Sequence, residues 1–262
     1  MKISAASICK QGGREYNQDF VSGIVNGTEA CIVVCDGLGS YVGSEVASRL
    51  CATKIVELYS KLRETEPERA YAPETVQSYI HAAHNYVSDY KDHTPEIKSS
   101  CTTVACCVTD GSKVTMSHIG DTRIYLFRGG KLAYQSKDHS LSQLAVEMGQ
   151  IDLRDIRTHK DQNKLTRVLG GAYYIEPDCE ISAEPLGAGD AIIMCTDGFW
   201  EYVYEEEMEA ELAASDNAEE ILARLEKRLL SRITKFNDNY SAVVAKVITS
   251  EKKEVADNGK NE

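Results

Sequence analysis

The chain has 262 residues, 42% of them hydrophobic and 27% charged, with a formal net charge of −12 at pH 7. That length supports one domain with a large core, and the composition is that of a soluble globular protein. The negative balance argues against nucleic acid and anionic membrane as partners, and no apolar stretch is long enough to span a bilayer.

Residues 1–10 lack the apolar centre of a signal peptide, so Cys9 is not read as a lipidation site. Residues 1–25 predict a strand, a loop and a second strand, the loop carrying Gly12, Gly13, Arg14, Glu15, Tyr16, Asn17, Gln18 and Asp19. Residues 28–36 predict a buried strand, because Ala30 to Cys35 is a continuous apolar run, and it ends abruptly in Asp36 and Gly37. Over 43–63, Val46, Leu50, Ile55, Leu58 and Leu62 recur at helical spacing. A polar connection with Pro67 follows, then a second helix over 73–90 opened by Pro73 and Glu74. Strands are expected over 101–108, 113–119, 122–128 and 131–136, the last two joined at Gly129 and Gly130. Residues 141–148 predict a short helix stopped by Gly149, and 150–172 a polar irregular segment. Ile181 and Leu186 flank a short edge segment, 191–196 is a second central strand, 205–213 and 216–235 are helices, and 242–248 is the last strand. The second of those helices is amphipathic through Ile221, Leu222, Leu225, Leu229 and Ile233. From Thr249 the chain is polar and reads as a disordered tail after a single domain over 1–248. Strands in antiparallel-type succession with paired helices make an α+β fold, without the strand–helix alternation of a doubly wound sheet.

The nine cysteines (9, 31, 35, 51, 101, 106, 107, 179 and 195) are odd in number and mostly inside apolar runs, with no CxxC. They read as reduced, buried thiols of a cytoplasmic protein, with no structural zinc.

Asp36, Asp121, Asp197 and Asp238 each stand at the end of an apolar run. If those ends converge, the like charges require cations. Carboxylate oxygens suit Mg²⁺ or Mn²⁺ better than Zn²⁺. Two such ions about 4 Å apart can share a carboxylate and acidify a water for in-line attack on phosphorus. Arg14, in its glycine-preceded loop near Asp19, is the best-placed guanidinium to grip phosphoryl oxygens. Other phosphate chemistries lack their motifs: there is no DxDx[TV], GxxxxGK[ST] or GxSxG, and Cys9 and Arg14 are one residue too close for a thiolate loop. Taken singly, each Asp-Gly is a turn signal. His81 and His84, three apart on a helix, read as surface or packing residues; Trp200 reads as core, and His139 as a brace.

The joint pattern resembles the metal-dependent serine/threonine protein phosphatases of type 2C in their compact bacterial form. The matching blocks are REYNQD at 14–19, DGLGSYVGSEVAS at 36–48, SSCTTV at 99–104, GDTRIYLFRGGKL at 120–132, KDHSLSQL at 137–144, NKLTRVLG at 163–170, CTDGFWEYV at 195–203 and DNYSAVV at 238–244. The resemblance implies two packed antiparallel β-sheets flanked by helix pairs, with a metal cluster at one end. It implies hydrolysis of phosphoserine and phosphothreonine in proteins, using two Mn²⁺ or Mg²⁺ ions and a weaker third. Asp36 would bridge two metals, Gly37 would lend its carbonyl to one, and Asp197 and Asp238 would bind the other. Asp121 with Asp197 would hold the third, Asp19 would bind metal-bound waters, and Arg14 would grip the phosphate. A flap would span about 141–170. The implied partners are phosphorylated proteins opposed to a Ser/Thr kinase, with the enzyme a cytoplasmic monomer. Gln18 stands where the family usually has Glu, Leu38 where animal members have His, and Ser40 where Gly is usual. Gln18 keeps open a second reading, a regulatory pseudo-phosphatase that binds phosphoproteins with little turnover.

Overall fold

A computed structural model of the chain describes residues 1–39, 41–171 and 174–249. The strands in chain order are β1 (Lys2–Lys10), β2 (Asp19–Asn26), β3 (Glu29–Asp36), β4 (Val104–Thr109), β5 (Val114–Ile119), β6 (Arg123–Arg128), β7 (Lys131–Gln135), β8 (Asp178–Ser182), β9 (Ala191–Cys195) and β10 (Tyr240–Ile248). The helices are α1 (Ser44–Thr65), α2 (Pro73–Asp92), α3 (Leu141–Glu147), α4 (Asp197–Trp200), α5 (Glu205–Ala214) and α6 (Ala218–Leu230). The strands form two five-stranded sheets, ordered β1-β10-β9-β6-β7 and β2-β3-β4-β5-β8, with antiparallel pairing throughout.

The period of two in each strand sets the layers. Ile32 and Val34 of β3, with Cys107 and Met116, face Ile124, Leu126, Ile192, Met194 and Val243 of the other sheet. The alternate residues Cys31, Val33 and Cys35 face Ile55, Tyr59, Val76 and Ile80 of α1 and α2. Burial on both faces is why β3 is apolar without alternation. The outer face of the other sheet packs Tyr125, Phe127, Ile193 and Val244 against Trp200, Met208, Leu212, Ile221 and Leu225 of α4, α5 and α6. The result is helix pair, sheet, sheet, helices.

The predicted elements are present, with four differences, the first being that the edge strand is Asp178–Ser182 and contains Ile181 instead of lying between Ile181 and Leu186. The last helix stops at Leu230 rather than 235; the Ser231 amide closes the final turn on Lys227 and Arg228 carbonyls, and the chain bends toward β10. Ile233 still packs against the core, so its apolar character does not signal helix. Residues 150–172 contain a 3₁₀ helix, Leu153–Thr158, started by reciprocal side-chain caps of Asp152 and Asp155. Of its side chains Ile156 and Arg157 alone are buried, so it carries no apolar period. Asp197 and Gly198 open α4 instead of closing a turn. The tail beyond Thr249 and the substitution at Ser40 lie outside the described residues. All nine cysteines are free thiols, Cys9 exposed and Cys179 half-buried. Among the described residues no helix is long and apolar enough to cross a membrane.

One buried ion pair underlies the functional end. Arg123, 2% exposed, donates from Nε and Nη2 to both Asp138 oxygens at 2.9 and 2.8 Å, and its guanidinium lies 3.6 Å from the Trp200 ring centroid. Removing one partner strands a buried charge. Asp138→Ala is expected to cost about 3 kcal/mol in urea unfolding. A loss below about 1 kcal/mol would mean that Glu205, 3.9 Å from Arg123, takes over the pairing.

Candidate active site

Antiparallel topology brings the ends of β3, β5 and β9 and the starts of β2 and β10 to one end of the sandwich. Asp19 and Asp36 are direct partners across β2 and β3. Asp121 follows β5, Asp197 follows β9, and Asp238 precedes β10. Asp36, Gly37, Asp121, Asp197, Asp238 and Arg14 line one cavity of about 190 Å³, together with Leu38, Gly39, Thr103, Asn163 and Leu165. Asp19 sits one layer behind: it is 4% exposed, and its Oδ2 accepts from Thr196 Oγ1 at 2.9 Å.

The electrostatics are those of crowded acids. Burial, then Asp19, Asp197, Asp121 and Asp238, push the Asp36 carboxyl well above the usual range. Burial and Asp197 do the same to Asp121. Asp19 is pushed up to about 7, mainly by burial, and Asp197 to about 6 by burial and Asp238. Among the described residues Arg14 is the one basic side chain lining the cavity, and its Nη2 donates to Asp238 Oδ2 at 2.5 Å. Asp19 Oδ1 is buried without a partner. An excess of hard oxygen donors with one orphaned oxygen fits divalent cations of the Mg²⁺ or Mn²⁺ kind.

Backbone contacts fix these carboxylates. The Asp36 amide donates to Thr103 Oγ1 at 3.0 Å, while its carbonyl accepts from Thr103 N at 2.8 Å and Thr102 Oγ1 at 2.9 Å. Trp200 Nε1 donates to the Asp121 carbonyl at 2.9 Å, which gives this buried core residue a hold on the site. Asn239 Oδ1 accepts from Gln18 N at 2.9 Å, and its Nδ2 donates to the carbonyls of Gln11 at 2.6 Å and Tyr16 at 2.8 Å. That one amide ties the Arg14 loop to β10. Gly12 has φ +60°, and a Cβ there would stand 2.1 Å from the Asp238 carbonyl oxygen, so only glycine allows the loop this close.

Gln18 does not line the cavity. Its Nε2 donates to the Tyr41 carbonyl at 3.3 Å, in a neighbouring groove. The segment 141–170 contributes Asn163 and Leu165 to the cavity and is latched to the α4–α5 stretch. Gln162 Nε2 donates to Glu201 Oε1 at 2.6 Å, Arg157 Nη2 donates to Glu205 Oε1 at 2.6 Å, and Arg154 pairs with Glu206. Burial, then Asp197 and Asp238, push Glu201 up to about 8.

His118, His139 and Asp178 gather elsewhere, near the base of that segment. The Gly120 N–H points at His139 Nδ1 at 3.1 Å, which leaves the proton on Nε2, and His118 Nε2 donates to the Lys137 carbonyl at 2.7 Å. Burial pushes His139 down to about 4, so it is neutral. His139 also exchanges backbone hydrogen bonds with Gly120 and Thr166. These rings brace the segment's root. His84 accepts from Gly170 N at 3.2 Å and His81 stacks on Tyr174, so the two rings have separate packing partners.

Sequence reasoning did not single out Thr103, Asn163, Leu165, Glu201 or Asn239. All five lie inside blocks already recognised, and Glu201 lies one helical turn after Asp197.

The family description Protein phosphatase 2C matches residues 11–235. The serine/threonine protein phosphatase PstP of Mycobacterium tuberculosis is 26% identical over 83% of this chain, and the chain spans 40% of that relative's length. The crystal structure of serine/threonine phosphatase Stp1 from Staphylococcus aureus superposes with a TM-score of 0.84 at 25% identity, covering 95% of this chain and 96% of that one. The catalytic domain of a serine/threonine protein phosphatase PstP solved in complex with two manganese ions superposes with a TM-score of 0.78 at 25% identity, covering 95% and 99%. With the carboxylate-lined end of a two-sheet sandwich and a family match over most of its length, this chain belongs to the protein phosphatase 2C family.

Proposed function

We propose that the chain hydrolyses phosphoserine and phosphothreonine in proteins with Mn²⁺ or Mg²⁺, as a cytoplasmic, monomeric signalling enzyme opposed to a Ser/Thr kinase. The observation that carries the reading is the cavity where Asp36, Asp121, Asp197 and Asp238 converge with a single arginine. The manganese ions of the solved relative support the choice of metal.

In this reading Asp36 and the Gly37 carbonyl, with Asp197 and Asp238, hold two ions, and Asp121 with Asp197 holds a weaker third. When bound, the ions offset the carboxylate charge and supply a nucleophilic hydroxide at neutral pH. Asp19, anchored by Thr196, orients water from behind the lining with its free Oδ1. Arg14 is half-exposed, so its bond to Asp238 is weak enough to exchange for phosphoryl oxygens, which its planar fork matches. Asn163 and Leu165 make segment 141–170 a flap over the cavity, within a domain over 1–248. Leu38 lines the cavity and has no proton to give, so a leaving serine oxygen must be protonated by another group. Gln18, the residue that keeps a pseudo-phosphatase reading open, bonds the Tyr41 carbonyl outside the cavity that the aspartates line.

Hydrolysis of p-nitrophenyl phosphate should vanish in EDTA and return with Mn²⁺. Asp36→Asn and Asp197→Asn should each lower kcat by roughly a thousandfold, the scale of several kcal/mol of lost charge stabilisation. Full activity in EDTA after dialysis would overturn the proposal. Aryl phosphates, which need no leaving-group proton, should outrun phosphoserine peptides; equal kcat on both would show that leaving-group protonation does not limit the rate despite Leu38.

The raised carboxyls also set a pH dependence. Asp19 and Asp197 have folded values of about 7 and 6, above the ordinary value of about 3.9 in an unfolded chain. Between those limits the folded state binds more protons, so stability falls as pH rises through that window. In chelator, the Tm should therefore be lower at pH 8 than at pH 6, and saturating Mg²⁺ should remove the difference. Equal melting temperatures in chelator would contradict the crowding.

A further inference from the structure

Next to the carboxylate cavity lies a larger groove of about 640 Å³, which shares Arg14 and Gly39 with it. Its walls carry Glu15, Glu45, Tyr16 and Tyr41, with Val42. Tyr16 is 65% exposed, Tyr41 42% and Val42 77%, so the patch is open and partly apolar. Its one basic lining residue, Arg14, already pairs with Asp238 at 2.5 Å on the cavity side. Glu15 and Glu45 line the same groove as Tyr16 and Tyr41, so two carboxylates and two phenol rings share one hollow. No ligand role assigned above uses these side chains.

Carboxylates beside exposed tyrosine faces form a receptor for a guanidinium or ammonium, by ion pairing and by contact with the ring. The position matters as much as the composition. Arg14 stands between the two hollows, so a substrate whose phosphoryl group meets Arg14 passes its neighbouring residues over Gly39. A Cβ at Gly39 would find Gln18 Oε1 at 3.3 Å and Arg14 Nη1 at 3.6 Å, so the glycine keeps this passage low. An extended peptide advances about 3.3 Å per residue, which puts residues two to four positions from the phosphorylated one in the groove. An acidic segment there would face two like charges; a basic one would complete an alternation of phosphate on Arg14 and cation on Glu15 and Glu45.

We propose that this groove is a substrate subsite that receives an Arg or Lys side chain flanking the phosphorylated residue, on the reading that the neighbouring cavity is the phosphatase site. The subsite gives the enzyme a preference for basic phosphopeptides despite the phosphate's own negative charge.

The test uses two phosphothreonine peptides that differ only in carrying Arg or Glu two to four residues from the phosphothreonine on both sides. kcat/KM is measured at low salt for each, with p-nitrophenyl phosphate as a substrate that cannot reach the groove. Binding of the same fluorescein-labelled peptides is measured by anisotropy. The basic peptide is expected to be favoured about tenfold, the scale of one or two exposed ion pairs, chiefly through KM, and to bind more tightly by the same factor. The double variant Glu15→Gln, Glu45→Gln should erase the preference and leave p-nitrophenyl phosphate turnover unchanged. Equal kcat/KM and equal binding for the two peptides, with p-nitrophenyl phosphate hydrolysed, would overturn the subsite alone. Absent p-nitrophenyl phosphate hydrolysis would overturn the phosphatase reading, and the anisotropy difference would then decide the subsite by itself. A preference that survives in the double variant would also overturn it.

Discussion

Burial of several carboxylates at one end of the sandwich, with their mutual repulsion added to it, governs this molecule's functional end. Asp36 and Asp121 are pushed well above the carboxylate range, and burial leads the causes in both. A chain selected only for stability would place cations among them. Here one arginine lines the cavity, and it is half-exposed. The excess charge is therefore kept for something from outside, and the fold supplies the rigidity needed to hold it unpaired.

That rigidity comes from hydrogen bonds made by side chains of neighbouring elements. Thr102 and Thr103 clamp Asp36, Thr196 fixes Asp19, and Trp200 holds the Asp121 carbonyl. Each clamp spans elements far apart in sequence: Asp36 is registered against the lead-in to the neighbouring strand β4, Asp19 against the other sheet and Asp121 against a helix. Trp200 in turn is packed beneath Arg123, whose charge is matched by Asp138 inside the protein. The core pair and the cavity-facing acids thus share a wall, with charge balanced on one side of it and left unbalanced on the other.

Much of this was legible in the residues. The run Ala30 to Cys35 is buried on both faces, so its strand could be read without alternation. Asp36, Asp121, Asp197 and Asp238 were readable because each breaks an apolar run, and the structure brings all of them to one cavity. What was hidden depends on distant contacts. Asn239 looks like a turn residue until its amide is seen to bridge Gln11, Tyr16 and Gln18. The 3₁₀ turn at Leu153–Thr158 has no apolar period because few of its side chains are buried. The Gln18 side chain bonds the Tyr41 carbonyl, a choice set by the loop's path and invisible in one dimension.

The loop carrying Arg14 shows how the two hollows are kept distinct. Asn239 and the close approach at Gly12 hold the loop's backbone against β10, while the Arg14 side chain itself remains half-exposed. An exposed ion pair contributes about 1 kcal/mol at most, so the guanidinium can leave Asp238 at small cost. The backbone, by contrast, cannot follow without breaking several buried hydrogen bonds, each worth about 1 kcal/mol. Motion is therefore confined to one side chain, which can turn toward a phosphoryl group without carrying Glu15 and Tyr16 away from the groove. Under the proposed reading, a fixed backbone with a weakly held guanidinium is what one substrate would need to occupy the cavity and the groove at the same time.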